Sequence, residues 1–261
     1  MSNFSLYNLA RYSSLSEFFI EILTRKNARA KKFYSSFLHQ GPAPREGNKL
    51  AFDIGANKGN KVSAMAGLGY EVVALEPEKN SLSTLRWRFS ADRAITIVDK
   101  GVSEAPGKTS IYIAGPRSGL NTLSTKWKDV LQKAETNRWG KKFTYSDSYE
   151  IALTTLDELV RQWGLPYFIK IDVEGYENKV LKGLSHRIPF ISFETNLPEF
   201  LDETIECITL LKNLSSEAVF NYSLADKLEL DKWINGEALI RLIKDPSFRY
   251  MEIICRSNPA G

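Results

Sequence analysis

The sequence has few of the residues that build disulfide frameworks, metal sites and membrane spans. Only two cysteines, Cys207 and Cys255, occur in 261 residues, and they lie far apart with no metal-type spacing. This argues against a disulfide framework and makes a reducing compartment the default. No apolar run approaches the ~20 residues that cross a bilayer. The first residues lack a charged region followed by an apolar core, so we expect no signal peptide and a cytoplasmic location.

Positive charge is concentrated in the first part of the chain. Residues 1–49 contain eight basic and three acidic residues, a surplus of five, whereas the whole chain has a net charge of +4. Apolar residues at helical spacing, over 15–23 and again over 33–38, predict helices there. We therefore expect an N-terminal helical extension over 1–49, which ends in the turn-rich segment 41–44. The length fits one further domain over 50–261.

From Leu50 onward, short apolar runs alternate with segments of helical periodicity. This order predicts an α/β fold with a parallel sheet and right-handed crossovers. The predicted strands are Leu50–Ile54, Glu71–Glu76, Ile95–Val98, Tyr167–Ile171, Phe190–Phe193, Glu217–Tyr222 and Tyr250–Cys255.

Two segments interrupt the alternation. Thr109–Ile113 has the pattern of an added strand, and residues 115–148 are polar, basic and rich in turn formers. Loops at this edge of such sheets often close over substrates, so we predict that 115–148 forms a lid. Residues 223–249 are predicted to form a helical insert between the last two strands.

A glycine-containing turn follows the first strand. It reads Asp53-Ile-Gly55-Ala56-Asn57-Lys-Gly59. The G-x-x-x-G spacing differs from the G-x-G-x-x-G loop that holds a pyrophosphate at a helix N-terminus. The Asp53 carboxylate would repel a pyrophosphate but would attract a cation. S-adenosyl-L-methionine carries an ammonium and a sulfonium, so this turn favours it as the cofactor.

Acidic residues also end the second and third strands. Glu76 lies 21 positions after Gly55, a spacing at which a carboxylate can accept both ribose hydroxyl hydrogen bonds. NAD has the same ribose, so Glu76 does not discriminate between the two cofactors. Asp99 could meet an adenine amino group, or could simply be a surface acid in a turn.

The fourth parallel strand runs into a second motif, which reads Lys170-Ile-Asp172-Val-Glu174-Gly-Tyr-Glu177. Strand alternation places Lys170, Asp172 and Glu174 on one side of the chain. Three ionisable residues at the end of a buried strand are costly unless they are paired or functional.

The two motifs resemble the FkbM family of methyltransferases, over roughly residues 50–196. Glu76-Pro77 and Thr155-Leu-Asp157 extend the match. The resemblance implies a Rossmann-like class I methyltransferase with helices on both sheet faces. Its seven-stranded, mostly parallel sheet would have the order 3-2-1-4-5-7-6, with the seventh strand antiparallel. The cofactor contacts would be Asp53, Gly55, Ala56, Asn57, Gly59, Glu76, Pro77, Asp99, Gly101 and Val102.

The family also implies O-methylation of sugars, glycans, lipids or polyketides. A hydroxyl acceptor must lose a proton, so a general base within reach of it is useful. We expect Asp172 or Glu174 to be that base, tuned or anchored by Lys170. In a metal-assisted alternative, Asp172, Glu194 and Asn196 would bind Mg²⁺ through oxygen.

Three other functions compete with this interpretation. A nucleic-acid methyltransferase could use the basic arm and the 115–148 loop, in which Trp127 and Trp139 lie among lysines and arginines. A non-catalytic binding module or membrane-surface protein could use the apolar and basic residues 15–38. An NAD-dependent oxidoreductase is disfavoured by the G-x-x-x-G spacing. We favour a small-molecule, glycan or lipid acceptor, and the oligomeric state is left open.

Overall fold

The computed structural model describes residues 26–41, 49–133, 135 and 137–257. The helix predicted over 15–23 and most of the 41–44 turn lie outside these residues. Among the described residues, no helix combines the length and apolar character that a membrane span needs.

The central sheet confirms the predicted fold class and corrects the strand number. Its strands are β1 (Leu50–Ile54), β2 (Glu71–Leu75), β3 (Ile95–Val98), β7 (Phe168–Ile171), β8 (Phe190–Asn196), β9 (Val219–Ser223), β10 (Ile234–Asn235) and β11 (Tyr250–Arg256). Their order is β10-β9-β11-β8-β7-β1-β2-β3. Without β10, this is the predicted order 3-2-1-4-5-7-6. β11 runs antiparallel to both of its neighbours, as predicted for the seventh strand.

The prediction of seven strands was wrong, because the short edge strand β10 is an eighth strand of the sheet. Asn235 caps the following helix by accepting a hydrogen bond from the Ala238 N–H. An N-cap residue is extended, so the chain entering the helix lies flat beside β9 and pairs with it.

Helices cover both faces of the sheet, as predicted. They are α1 (Lys26–Leu38), α2 (Asn60–Ala66), α3 (Lys79–Arg88), α4 (Thr125–Leu131), α5 (Leu156–Trp163), α6 (Glu177–Lys182), α7 (Leu201–Leu214) and α8 (Gly236–Leu242). One core layer contains the buried side chains of α5, α6, α7 and α8. The other contains those of α1, α2 and α3. The predicted insert over 223–249 thus contains one helix, α8, together with β10.

The described part of the N-terminal extension packs directly on the sheet. Tyr34 and Phe37 of α1 are fully buried. Their rings lie 5.3 and 5.8 Å from that of Phe168 on β7, and the Phe37 ring lies 5.7 Å from that of Phe190 on β8. Such aromatic pairs stabilise a core beyond the area that they bury. Helix α1 is therefore a structural layer of the fold, and the boundary at residues 49 and 50 stays a prediction.

A second sheet follows β3. It contains β4 (Gly101–Val102), β5 (Gly107–Ile113) and β6 (Asp147–Thr154), in the order β4-β6-β5. The predicted strand Thr109–Ile113 is confirmed within β5, whereas β6 was not predicted. The predicted lid segment 115–148 connects β5 to β6, contains α4 and ends in the first two residues of β6.

Candidate active site

The glycine turn at the end of β1 is held by the neighbouring strand. The backbone N–H groups of Gly55 and Ala56 both donate to the carbonyl oxygen of Leu75, at 3.0 and 2.9 Å. Gly55 has φ +85°, and a Cβ there would lie 1.9 Å from the Asp172 carbonyl oxygen. Only glycine fits this close approach of the two motifs.

The second glycine of the turn begins helix α2. Gly59 has φ +81°, and a Cβ there would lie 2.4 Å from the ring of Phe89. Asn57 also has a positive φ, +45°, a conformation that asparagine tolerates better than most residues. The turn is therefore shaped by backbone conformation more than by side-chain contacts.

Glu76 fastens this turn to the end of β2. One oxygen of its buried carboxylate accepts from the Asn57 N–H at 2.8 Å, and the other accepts from the Glu78 N–H at 2.7 Å. Burial raises the pKa of Glu76 to about 7, against the opposing effect of these two backbone donors. Glu78 in turn caps α3 by accepting from the N–H groups of Asn80 and Ser81.

A cleft opens at the carboxyl ends of β1, β2 and β7. It is lined by eight of the predicted site residues, Gly55, Asn57, Glu76, Pro77, Gly101, Val102, Asp172 and Glu174. The predicted lid contributes a wall made of Ser118, Gly119, Asn121, Thr122 and Leu123, which motif reasoning did not identify. Open α/β sheets bind ligands at this edge.

The other predicted cofactor residues lie outside the cleft wall. Asp53 is 1% exposed and faces Lys170 across the strand pair. Both of its carboxylate oxygens are buried and have no hydrogen-bond partner among the described residues. Burial raises the pKa of Asp53 to about 6, although Lys170 opposes the shift. Ala56 and Gly59 shape the turn, and the exposed Asp99 lies 3.6 Å from the Arg86 guanidinium.

The second motif brings a buried ion pair to the cleft. Lys170 is 1% exposed, and its Nζ donates to Asp172 Oδ2 at 2.8 Å. Burial opposes the charge on Lys170, but Asp172 and Glu194 outweigh it and raise the Lys170 pKa. Burial likewise opposes ionisation of Asp172, but the charge and hydrogen bond of Lys170 lower its pKa. Asp172 is therefore the carboxylate of this motif that is charged at neutral pH.

Glu174 has a different environment from Asp172. Its Oε2 accepts from the indole Nε1 of Trp127 at 2.9 Å, and its carbonyl oxygen accepts from Thr122 Oγ1 at 2.7 Å. Burial raises the pKa of the Glu174 carboxyl well above its usual range, and the nearby charge of Asp172 adds to this. Glu174 thus joins the predicted lid to the motif through a carboxyl group whose pKa is shifted in the opposite direction to that of Asp172.

The turn after Asp172 is closed by a third carboxyl group. Glu177 Oε1 accepts from the N–H groups of Val173 and Gly175, at 3.1 and 3.3 Å. Gly175 has φ +85°, and a Cβ there would lie 2.5 Å from the ring of Phe200. The last residues of the motif therefore have a structural role.

Two of the three residues of the alternative metal site, Asp172 and Glu194, lie on either side of Lys170. Glu194 Oε2 accepts from the Tyr250 hydroxyl at 2.5 Å, and Glu194 Oε1 lies 3.6 Å from Lys170 Nζ. Burial, and then the charge of Asp172, raise the pKa of Glu194 to about 8. The Lys170 ammonium is therefore the cation shared by Asp172 and Glu194. The described ranges contain no group of three or more histidine, cysteine or acidic residues that could hold a metal. The Mg²⁺ alternative is not supported.

The predicted lid packs against the strand ends through aromatic rings. Trp127 of α4 is 1% exposed, and its ring lies 5.5 Å from that of Phe200. The Trp139 ring follows at 6.1 Å from Trp127 and 5.6 Å from Phe143. Neither Trp127 nor Tyr250 carries a local motif that marks it as a site residue.

Comparison with known proteins identifies the family. The FkbM methyltransferase domain matches residues 53–220, more than half of the chain. No curated protein matches this chain.

Solved structures of low sequence identity show overall similarity. A precorrin-6y C5,15-methyltransferase from Geobacter metallireducens has 10% identity and a TM-score of 0.41, over 80% of this chain and 79% of that one. A putative RNA methyltransferase from Pyrococcus horikoshii has 9% identity and a TM-score of 0.40, over 88% and 83%. The plantazolicin methyltransferase BpumL, in complex with a monoazolic desmethylPZN analog and SAH, has 8% identity and a TM-score of 0.44, over 95% and 90%.

The domain match includes the glycine turn, Glu76 and the whole Lys170–Glu177 motif. The chain belongs to the FkbM methyltransferase family.

Proposed function

We propose that the protein transfers the methyl group of S-adenosyl-L-methionine to a hydroxyl group of a sugar, glycan, lipid or polyketide-type acceptor. One observation carries this proposal. Asp172, which is held charged by Lys170, lines the same cleft as the glycine turn and Glu76. A cofactor cradle and a charged acceptor of protons therefore share one cavity.

The cleft fits S-adenosyl-L-methionine. Gly55 lines the cleft with its backbone alone, and Glu76 presents a carboxylate at the end of β2. The cofactor would be held by the turn Gly55–Asn57, by Glu76 and Pro77, and by Gly101 and Val102. The negative charge of Asp172 suits the positive charge of its sulfonium. When bound, the cofactor supplies an electrophilic methyl group.

Asp172 is the better general base of the two candidates. A base must be unprotonated to accept a proton, and Lys170 keeps Asp172 ionised. Burial disfavours the ionised form of Glu174 and raises its pKa, and its Oε2 already accepts from Trp127. Asp172 would accept the proton of the acceptor hydroxyl as the oxygen attacks. Orientation of that hydroxyl supplies much of the remaining rate enhancement.

In this mechanism, the lid would cover the site. Thr122 and Trp127 attach the 115–148 segment to Glu174, which is two residues from Asp172. A covered site excludes water, which strengthens electrostatic interactions and prevents hydrolysis of the activated methyl donor.

Calorimetric titration tests the cofactor assignment, with NAD as the control ligand. We expect S-adenosyl-L-methionine and S-adenosylhomocysteine to bind at micromolar concentration, and NAD not to bind. Turnover of hydroxylated sugars and lipids, followed by release of S-adenosylhomocysteine, then tests O-methylation. Absence of binding by both sulfur ligands would contradict the proposal, and methylation of amines alone would contradict the hydroxyl acceptor.

A further inference from the structure

A basic segment of the predicted lid is joined to the cleft residue Glu174 through Trp127. Residues 126–142, which we call the basic rim, contain six lysines and arginines and two acidic residues, a surplus of four positive charges. Two of the lysines have acidic neighbours. Lys126 pairs with Glu203 at 2.5 Å, and Lys128 lies 3.9 Å from Asp129. Acidic side chains therefore neutralise part of the positive charge at the Lys126 end of the rim.

Arg138 of the basic rim contacts two aromatic rings. Its guanidinium carbon lies 4.3 Å from the ring centroid of Trp139 and 4.1 Å from that of Tyr250. The side chain is exposed, and it forms no ion pair with any carboxylate in the described part of the chain. The two aromatic rings thus hold the Arg138 side chain in place. None of the described carboxylates neutralises its charge.

The contacts of Tyr250 connect Arg138 to the catalytic end of the sheet. Tyr250 begins β11 and pairs with Asn196 at the end of β8. Its hydroxyl donates to Glu194, which shares the Lys170 ammonium with Asp172. The cofactor cleft lies over β1, β2 and β7, so β8 and β11 border Asp172 on the opposite side. Arg138 is therefore connected to Asp172 through Tyr250, Glu194 and Lys170, on the side of Asp172 away from the cofactor cleft.

A guanidinium in this arrangement is suited to bind an anion. A guanidinium stacked on aromatic rings keeps a fixed plane, while its N–H donors point outward at the edge. Such donors bind a carboxylate or a phosphate in a bidentate manner. Trp139 is 38% exposed, so part of its indole is available to pack against one sugar ring.

We propose that Arg138, held between Trp139 and Tyr250, binds an anionic group of the acceptor, so that the acceptor is a hydroxylated sugar with a carboxylate or a phosphate. This rests on the proposed function. A nucleic acid fits less well, because Lys126 and Lys128 are paired and Asp129 and Glu135 interrupt the positive charge. A single anchored guanidinium beside one exposed ring matches one anionic sugar better than a phosphate chain.

Calorimetric titration of the full chain, saturated with S-adenosylhomocysteine, tests the proposal with three sugars. Methyl glucuronide carries a carboxylate, glucose 6-phosphate carries a phosphate, and methyl glucoside is neutral. We expect at least one of the anionic sugars to bind about tenfold more tightly than methyl glucoside, as for a charged hydrogen-bonded contact. Comparison of the two anionic sugars distinguishes carboxylate from phosphate recognition.

Variants assign this preference to Arg138. R138Q should abolish the preference and leave the affinity for S-adenosylhomocysteine unchanged. R138K, which keeps the charge but loses the planar fork, should retain only part of it. The matched control is K142Q, which removes the same charge from an exposed side chain of the rim. K142Q should lower the anionic affinity by less than about twofold at physiological ionic strength, since exposed charges are screened.

Three results would overturn the proposal. They are equal affinity for neutral and anionic sugars, equal losses in R138Q and K142Q, and tighter binding of a short RNA than of any of the sugars. Failure of S-adenosylhomocysteine to bind would contradict the proposed function instead. Titration of the sugars without it would then still test Arg138.

Discussion

The two sides of the cleft satisfy their polar groups by different means. On the side of β1 and β2, the Glu76 carboxylate accepts from backbone N–H groups, and Gly55 brings two chain segments together without a side chain. On the side of β7, β8 and β11, Lys170 and Asp172 form an ion pair beside Glu194. The first side depends mainly on the shape of the backbone, and the second depends mainly on ionisable side chains. Substitutions should therefore affect the two sides differently.

The largest expected effect is on turnover, and it falls on the charged side. D172N removes the proposed general base but keeps its size, so turnover should fall by about 10²–10⁴-fold. Initial rates with a hydroxyl acceptor measure this, after a thermal melt has established that the variant folds. D157N is the control, because Asp157 pairs with His186 and the Ser185 N–H, outside the cleft. Turnover of D172N within a factor of two of the unsubstituted protein would exclude Asp172 as the base.

The next effect falls on the backbone-shaped side. G55A places a Cβ 1.9 Å from the Asp172 carbonyl oxygen, so the free energy of unfolding should fall by about 3 kcal/mol or more. G69A is the matched control, because Gly69 has φ +84° but its nearest neighbour is Lys49 Nζ at 3.7 Å. The control should lose only the conformational cost of about 1–2 kcal/mol. Equal losses in urea titrations would refute the close approach of the two motifs.

A change of pH should have a smaller effect, on the stability of the folded protein. Burial raises the pKa of Asp53 to about 6, of Glu76 and Glu177 to about 7 and of Glu194 to about 8. The unfolded chain releases these protons at pH ~4. The folded state therefore binds more protons between about pH 5 and 8, and its free energy of unfolding should fall as the pH rises through this window.

Urea midpoints measured across this pH window test the effect. E194Q removes one of these four groups, so it should flatten the fall in stability. E217Q, at an exposed position, should leave the fall unchanged. Stability that rises from about pH 5 to 8 would contradict the directions of these pKa shifts.

The smallest effect concerns the attachment of the lid. W127F keeps an aromatic ring against Phe200 but removes the donor to Glu174 Oε2. One such hydrogen bond is worth about 0.5–1.5 kcal/mol, so kcat/KM should fall by up to about tenfold. W87F, at an exposed position on α3, should leave kcat/KM unaltered. Equal activity of W127F and W87F would separate the lid from catalysis.

The fold was predictable because its signals are local. β1 has the predicted bounds Leu50–Ile54, and the strand order follows from alternation and the family resemblance. β6 escaped prediction because it is mostly exposed along its first half, where Asp147, Ser148 and Glu150 hide the alternation of a strand. The packing of α1 on Phe168 could not be predicted from the sequence either. The spacing of apolar residues shows that a helix has a buried face, but not which element covers that face.

The site was predictable only where its residues form short motifs. The glycine turn, Glu76 and Lys170–Glu177 were identified from their spacing. Trp127 and Glu174 lie 47 positions apart, and Tyr250 and Glu194 lie 56 apart, so no local pattern joins them. The opposite pKa shifts of Asp172 and Glu174 could not be predicted from the motif either, because they depend on burial and on the neighbouring charges in the fold. The sequence therefore left both residues as candidates for the base.

Calorimetric titration of S-adenosylhomocysteine into E76Q and D172N tests the division of the cleft most directly. The amide introduced by E76Q has one acceptor oxygen where the Glu76 carboxylate has two, so this variant should bind the ligand about tenfold or more weakly. D172N should bind it within about threefold of the unsubstituted protein, because Asp172 serves the acceptor hydroxyl and the ligand lacks the sulfonium charge. Full affinity in E76Q together with lost affinity in D172N would contradict the account.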